Sequence, residues 1–145
     1  LTFLDEYKDK AILGLGEATH GSAIFFEAKF RIFKYMVENH GFRNFVFEAD
    51  FAESIYLEQA IQESRTGDIE ELMKTKMHFW TWRTKEVQHL LEWMSEYNRG
   101  KTEEEKIHYG GNDCQINNYQ NDFLNDYFES VNAPFAVDHL ISILE

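Results

Sequence analysis

The stretch GLGEATHGS, Gly14 to Ser22, decides how this chain is read. It stands between the apolar run Ala11-Ile12-Leu13 and a helix-patterned segment that begins near Ile24, an order that predicts strand, turn and helix. A glycine-flanked turn in that place ordinarily cradles phosphate through backbone N–H groups at the helix N-terminus. This one carries Glu17 and His20. Gly14-Leu15-Gly16 is half of a dinucleotide fingerprint, but Thr19 occupies the third glycine position and Glu17 would turn a negative charge toward the pyrophosphate. The next strand-ending acid also lies well beyond the spacing of about 20 residues expected of a ribose-binding carboxylate. No Gly-Lys-Ser/Thr follows, which disfavours a P-loop.

Working outward, three apolar runs read as buried strands: Ala11 to Leu15, Asn44 to Phe47 and Lys106 to Tyr109. Helical patterns fill the intervals. From Ile24 to His40, Phe25, Phe26, Phe30, Phe33, Met36 and Val37 recur at helical spacing, with Glu27/Arg31 and Lys34/Glu38 opposite them and Gly41 as the stop. Ile55, Tyr56, Ala60 and Ile61 mark a second helix, and Asp68-Ile69-Glu70-Glu71 resembles a capping box opening another. Val87, Leu90, Leu91, Met94 and Tyr97 mark a further helix with Thr84 as N-cap and Gly100 at its end; Tyr119, Phe123, Tyr127 and Phe128 suggest a last one. Strands separated by helices predict an α/β fold, a parallel sheet with helices packed on it.

In such sheets ligands bind beyond the carboxyl ends of the strands. Each expected strand leads there to an acid: Glu17, then Glu48 and Asp50, then Asp113. In so acidic a chain that pattern is weak by itself. Lys29 is more informative, because it falls inside the apolar stripe, one turn from Phe25, Phe26 and Phe33. A buried ammonium must reach a carboxylate or lose its proton, and Glu17 and Glu48 are the natural partners; the alternative is a side chain that snorkels to water. His20 stands at the mouth of the same helix, where the dipole disfavours the imidazolium and a neighbouring carboxylate favours it. As a neutral ring held by Glu17 or Glu48 it suits a general base; as an isolated residue it simply caps a turn.

Other chemistries fit less well. Glu17-x-x-His20 copies the pair used by diiron helices, yet glycines bracket it and no second such pair occurs among His40, His78, His89, His108 and His139, so no metal or other cofactor is expected. His40 reads as a complement to a helix C-terminus. Ser22 reads as an N-cap outside any nucleophile elbow, and Cys114 as a small buried residue.

The whole chain has 145 residues, 43% hydrophobic and 16% aromatic, with one proline, which is the composition of one globular domain over residues 1–145. A net charge of -12 opposes phosphate backbones and anionic lipid, so neither nucleic acid nor membrane is an expected partner. One cysteine and no membrane-length apolar run point to a cytoplasmic setting. The start at Leu1 and the end at Ile141-Ser142-Ile143-Leu144-Glu145, without a helix stop, are expected of an incomplete piece of a larger chain.

Taken together, GLGEATHGS, FFEAKFRIFKYMVENHGF, FVFEAD, FWTWRTKEVQHLLEWMSEYN and YGGND resemble the erythromycin esterase family, including relatives that carry a succinoglycan-biosynthesis label. That resemblance covers Ala11 to Asp113; the tract from Val131 to Glu145 matches poorly. It implies a three-layer α/β fold and hydrolysis of a macrolactone-type ester, or another small-molecule ester or lactone, by metal-independent general-base activation of water. His20 then looks like the base, Glu17 and Glu48 like carboxylates of the same site, and Lys29 like its basic residue. Trp80, Trp82 and Asp113 are candidates for lining the substrate cleft. The family's later histidine-containing strand motif is absent here, which keeps open a second reading: a binding or scaffold domain that holds a cation or cofactor in an acidic cleft.

Overall fold

The computed structural model describes residues 1–115 and 119–132. His139 and the terminal run Ile141 to Glu145 lie outside the described residues, as does most of the tract after Val131. Within them the order is α1 (Ala23–His40), β1 (Asn44–Asp50), α2 (Phe51–Gln62), α3 (Ile69–Lys76), α4 (Lys85–Asn98), β2 (His108–Asp113) and α5 (Gln120–Ser130). Short 3-10 turns occupy Thr2–Tyr7, Thr66–Asp68 and Trp80–Trp82.

β1 and β2 pair in parallel, with Phe45 opposite Tyr109 and Asp50 opposite Asp113, and a register irregularity separates Phe47 from Asp50. Helices pack on this sheet, as the alternation of strand and helix patterns predicts. Along β1, Phe45 and Phe47 are buried and Asn44, Val46 and Glu48 are exposed, so the described helices cover one face. Phe45 meets Phe33 at 4.8 Å between ring centroids, and Phe26 and Phe47 lie 6.4 Å apart, which seats α1 on the strand. Leu57, Ile61, Ile69, Leu90, Leu91 and Met94 close the same core from α2, α3 and α4.

The helix boundaries follow local chemistry. Gly41 ends α1 with φ 73°, a conformation glycine adopts without steric cost, and the Phe42 N–H reaches back to Met36 O at 3.3 Å. Thr84 caps α4 by accepting from Val87 N, and Gly100, at φ 72°, follows its end. Asp68 precedes α3, but its side chain makes no cap bond; it accepts from Arg65 instead, at 2.6 Å. His40 answers Asp5 at 2.8 Å and so ties the first turn to the end of α1.

Two expectations about strands are corrected. Residues 11–15 form no strand: Gly14 and Gly16 weaken any ladder, Ile12 is 87% exposed, and the described sheet has two strands. The third expected strand begins later than Lys106, because the Asn98 side chain takes both backbone groups of Ile107. Its amide donates to Ile107 O and its carbonyl accepts from Ile107 N, each at 2.8 Å. The ladder therefore starts at His108.

β2 passes so close to the β1–α2 junction that Gly111 has no room for a side chain. A Cβ there would stand 2.4 Å from Ala49 O and 2.5 Å from both Asp50 O and Ser54 Oγ. Gly111→Ala is expected to cost about 3 kcal/mol in urea denaturation, at the upper end of overpacking effects. Gly110→Ala, whose Cβ would meet only Val46 Cγ2 at 3.9 Å, should cost less than about 1 kcal/mol. Equal losses at the two positions would contradict this packing.

Candidate functional site

The site is assembled around Glu17, which lies in the segment before α1 without strand pairing to hold it. Its position is fixed by side chains. One carboxylate oxygen accepts from Lys29 Nζ on α1 and the other engages His20 Nδ1, three residues further along the turn. Both Glu17 and Lys29 are largely withdrawn from water, with side-chain exposures of 10% and 12%, while His20 is half exposed. Lys29 thus takes the first of the courses open to a lysine in an apolar stripe: it finds a carboxylate. The Phe26 and Phe47 rings lie 5.7 and 5.9 Å from its ammonium and complete the enclosure.

Burial alone would push the Glu17 carboxyl up. The hydrogen bonds and charges of Lys29 and His20 outweigh it and hold the group below its ordinary 4.5. The carboxylate therefore stays ionised at neutral pH and accepts from Nδ1 of His20, leaving Nε2 as the ring nitrogen that Glu17 does not engage. Trp82 holds the ring from the side, edge to face, with 5.3 Å between centroids. It is itself 4% exposed and packs on Phe26 and Phe47 at 5.8 and 5.1 Å.

A cleft of about 660 Å³ opens beside these groups, a size that suits a small-molecule ligand. Glu17, His20, Lys29, Glu48 and Trp82 all line it. Glu48 projects from the exposed face of β1, and its carboxylate makes no hydrogen bond or ion pair among the described residues. Trp80 lies outside the lining at 68% exposure, for the turn that carries both tryptophans sends one outward and the other into the core. Asp113 also lies outside the lining; its Oδ1 accepts from Cys114 N at 2.8 Å, and its neighbour Asn112 reaches the cleft instead. Asn112 was signalled only as part of the YGGND run, where it adjoins the acid that drew attention.

Asp50 serves the fold. It is 2% exposed, accepts from Glu53 N at 3.0 Å as the cap of α2, and receives Gln120 Nε2 at 2.8 Å from the start of α5. Ser22 precedes α1 without a side-chain cap bond, and the Gly21 N–H is taken by Thr19 Oγ1 at 3.2 Å. Cys114 is exposed, contrary to its reading as a buried small residue. Among the described residues no three His, Cys, Asp or Glu side chains are grouped to hold a metal ion. No helix among them is long and apolar enough to cross a membrane.

The same unit recurs in known proteins. A solved structure described as a succinoglycan biosynthesis protein superimposes with a TM-score of 0.74 at 32% identity, over 89% of this chain and 32% of that one. A Bacillus cereus protein of known structure matches with the same TM-score at 30% identity, over 90% of this chain and 31% of its own. Erythromycin esterase type II of Escherichia coli is 31% identical over 109 residues, which are 75% of this chain and 25% of that protein. The chain therefore spans about a quarter of that relative and about a third of the two solved structures. The family model for erythromycin esterase matches residues 37–142, and the chain belongs to the erythromycin esterase family.

Proposed function

We propose that this chain carries part of the catalytic centre of an ester hydrolase, in which His20 removes a proton from water, the resulting hydroxide adds to the ester carbonyl carbon, and collapse of the tetrahedral adduct breaks the acyl C–O bond as the imidazolium returns the proton to the departing alkoxide. The observation that carries this reading is the Glu17 carboxylate shared between Lys29 and His20, which fixes the orientation of the imidazole. Glu17 holds Nδ1, so Nε2 is the proton acceptor, and the ionised carboxylate stabilises the imidazolium once it forms. Glu48 lies on the same cleft as an acceptor for the attacking water, and Trp82 keeps the ring from turning away. The Lys29 ammonium balances the charge of the Glu17 carboxylate. No step in this scheme calls on a metal. The name of the Escherichia coli relative makes a macrolactone the first ester to try.

The second reading, a binding domain that holds a cation, places an added positive charge beside a carboxylate already engaged by Lys29 and His20. Titration calorimetry with divalent metals, run beside an ester panel, distinguishes the two: tight metal binding without turnover favours the second.

Two outcomes follow from the first reading. His20→Asn, with thermal unfolding unchanged, should lower kcat/KM for any ester turned over by at least about two orders of magnitude, the scale of general-base removal; unchanged turnover rejects the role. The second outcome concerns stability. A carboxylate whose folded-state pKa is depressed contributes stability above its unfolded value and loses it as pH falls through the lower folded value. Glu17→Gln should therefore cost about 2 kcal/mol at neutral pH, the scale of a charged hydrogen bond. The gap between wild type and variant should close as acid protonates Glu17 below 4.5. Urea denaturation of both proteins at pH 7 and in acid checks this; a gap independent of pH counts against the pairing.

A further inference from the structure

We infer that Asn112 is the oxyanion donor of the cleft: its side-chain amide donates to the carbonyl oxygen of the ester as that oxygen takes up negative charge. This deepens the hydrolase reading and rests on it.

The strands decide where this side chain points. A Cβ on Gly110 would meet Val46 Cγ2 at 3.9 Å, whereas one on Gly111 would run into Ser54 Oγ on α2. Successive residues of a strand alternate between faces, so Asn112 returns to the face that Val46 and Glu48 share. The ladder pairs Phe47 with Gly111, and the irregularity that follows leaves Asn112 as the residue of β2 next to Glu48. Neighbouring strands lie about 4.8 Å apart. A carboxylate and an amide thus stand side by side at the carboxyl end of the sheet, both exposed and both lining the cleft. Like that of Glu48, the Asn112 side chain makes no hydrogen bond among the described residues.

When water loses a proton to His20 Nε2 and its oxygen bonds to the carbonyl carbon, the C=O π pair moves onto the carbonyl oxygen; it returns when the acyl C–O bond breaks. That oxygen needs a donor placed for it beforehand. The turn before α1 does not offer one: the Gly21 N–H is taken by Thr19 Oγ1 at 3.2 Å, and neither Gly21 nor Ser22 lines the cleft. The Lys29 ammonium is matched by Glu17, and Trp82 is 4% exposed. Asn44 stands four residues before Glu48, about 13 Å away at the rise of a strand. Among the described side chains of the cleft, Asn112 is the exposed and uncommitted donor that remains. Water held by Glu48 and His20 then lies beside a carbonyl held by Asn112. The Glu48 charge that would oppose the oxyanion is met by the imidazolium formed in the same step.

The probes are the methyl phenylphosphonate anion, whose tetrahedral oxygens imitate the adduct, and methyl benzoate, its planar neutral counterpart. By titration calorimetry the wild-type protein should bind the phosphonate more tightly. Asn112→Ala and Asn112→Leu should each weaken the phosphonate at least about tenfold, the scale of a hydrogen bond to a charged group, and shift methyl benzoate by less than about twofold. Asn44→Ala should change neither. For an ester that is turned over, Asn112→Ala should lower kcat about 100-fold with KM within about twofold, because the bond forms only as charge develops. A merely structural role would weaken both probes together. That result, no phosphonate preference in the wild type, or a preference kept by both variants overturns the assignment. The two readings fail separately. Ester turnover abolished by His20→Asn but retained in full by Asn112→Ala condemns the donor alone; a phosphonate preference that follows Asn112 without turnover of any ester condemns the hydrolase and leaves the donor in place.

Discussion

The Glu17 carboxylate shared by Lys29 and His20 is the interaction on which the site depends. Each member needs the others. Lys29 lies among Phe26 and Phe47, where an ammonium without a counter-ion would be strongly disfavoured. Burial pushes the Glu17 carboxyl up, and the hydrogen bonds and charges of Lys29 and His20 outweigh it. Residues 11–17 have no ladder hydrogen bonds, so the ion pair also serves as their anchor to α1. His20 takes its orientation last, from a carboxylate that the lysine has already placed. The interaction that orders the polypeptide is thus also the one that orients the imidazole.

The rest of the fold sets the surroundings of that pair. Parallel strands bring Glu48 and Asn112 to the carboxyl end of the sheet, and α1 returns along β1 with its first turns beside them. Asp50 lies at the same end but is consumed by capping α2 and by Gln120, which shows how an acid in the right place can belong wholly to structure. The relatives that contain this unit are about three times as long. The unit is thus a shared portion of a larger architecture, and the cleft borders the open edge of its sheet.

What could be read from the residues was what local chemistry decides. The stripe from Phe25 to Val37, the cap at Thr84 and the glycines at 41 and 100 each act within a few positions of themselves, and α1 and α4 appeared where expected. The meeting of Lys29 with Glu17 was legible for a different reason: an ammonium in an apolar stripe has few physically acceptable fates. The first strand was not legible, because an apolar run containing Gly14 and Gly16 satisfies the pattern of a strand while lacking a partner to pair with among the described residues. Of the two tryptophans Trp82 lines the cleft and Trp80 stands outside it, for a geometric reason. Separated by two positions, Trp80 and Trp82 would share a face on a strand, and the 3-10 turn instead sends them apart. Asn112 gave no signal beyond its place in the YGGND run, since an amide beside two glycines and an acid has no chemistry that marks it in advance.

Asn98 adds a consequence of another kind. By occupying both backbone groups of Ile107 while itself 1% exposed, it acts as a keystone that sets the phase of everything after it. The connection at residues 99–106 is almost wholly exposed and sits upstream of that clamp. Lengthening or shortening it should be absorbed as slack before Ile107, leaving the pleat of the following strand in step. Evolution is then free to vary this outer connection between homologues without rotating Asn112 off the cleft or Tyr109 out of the core.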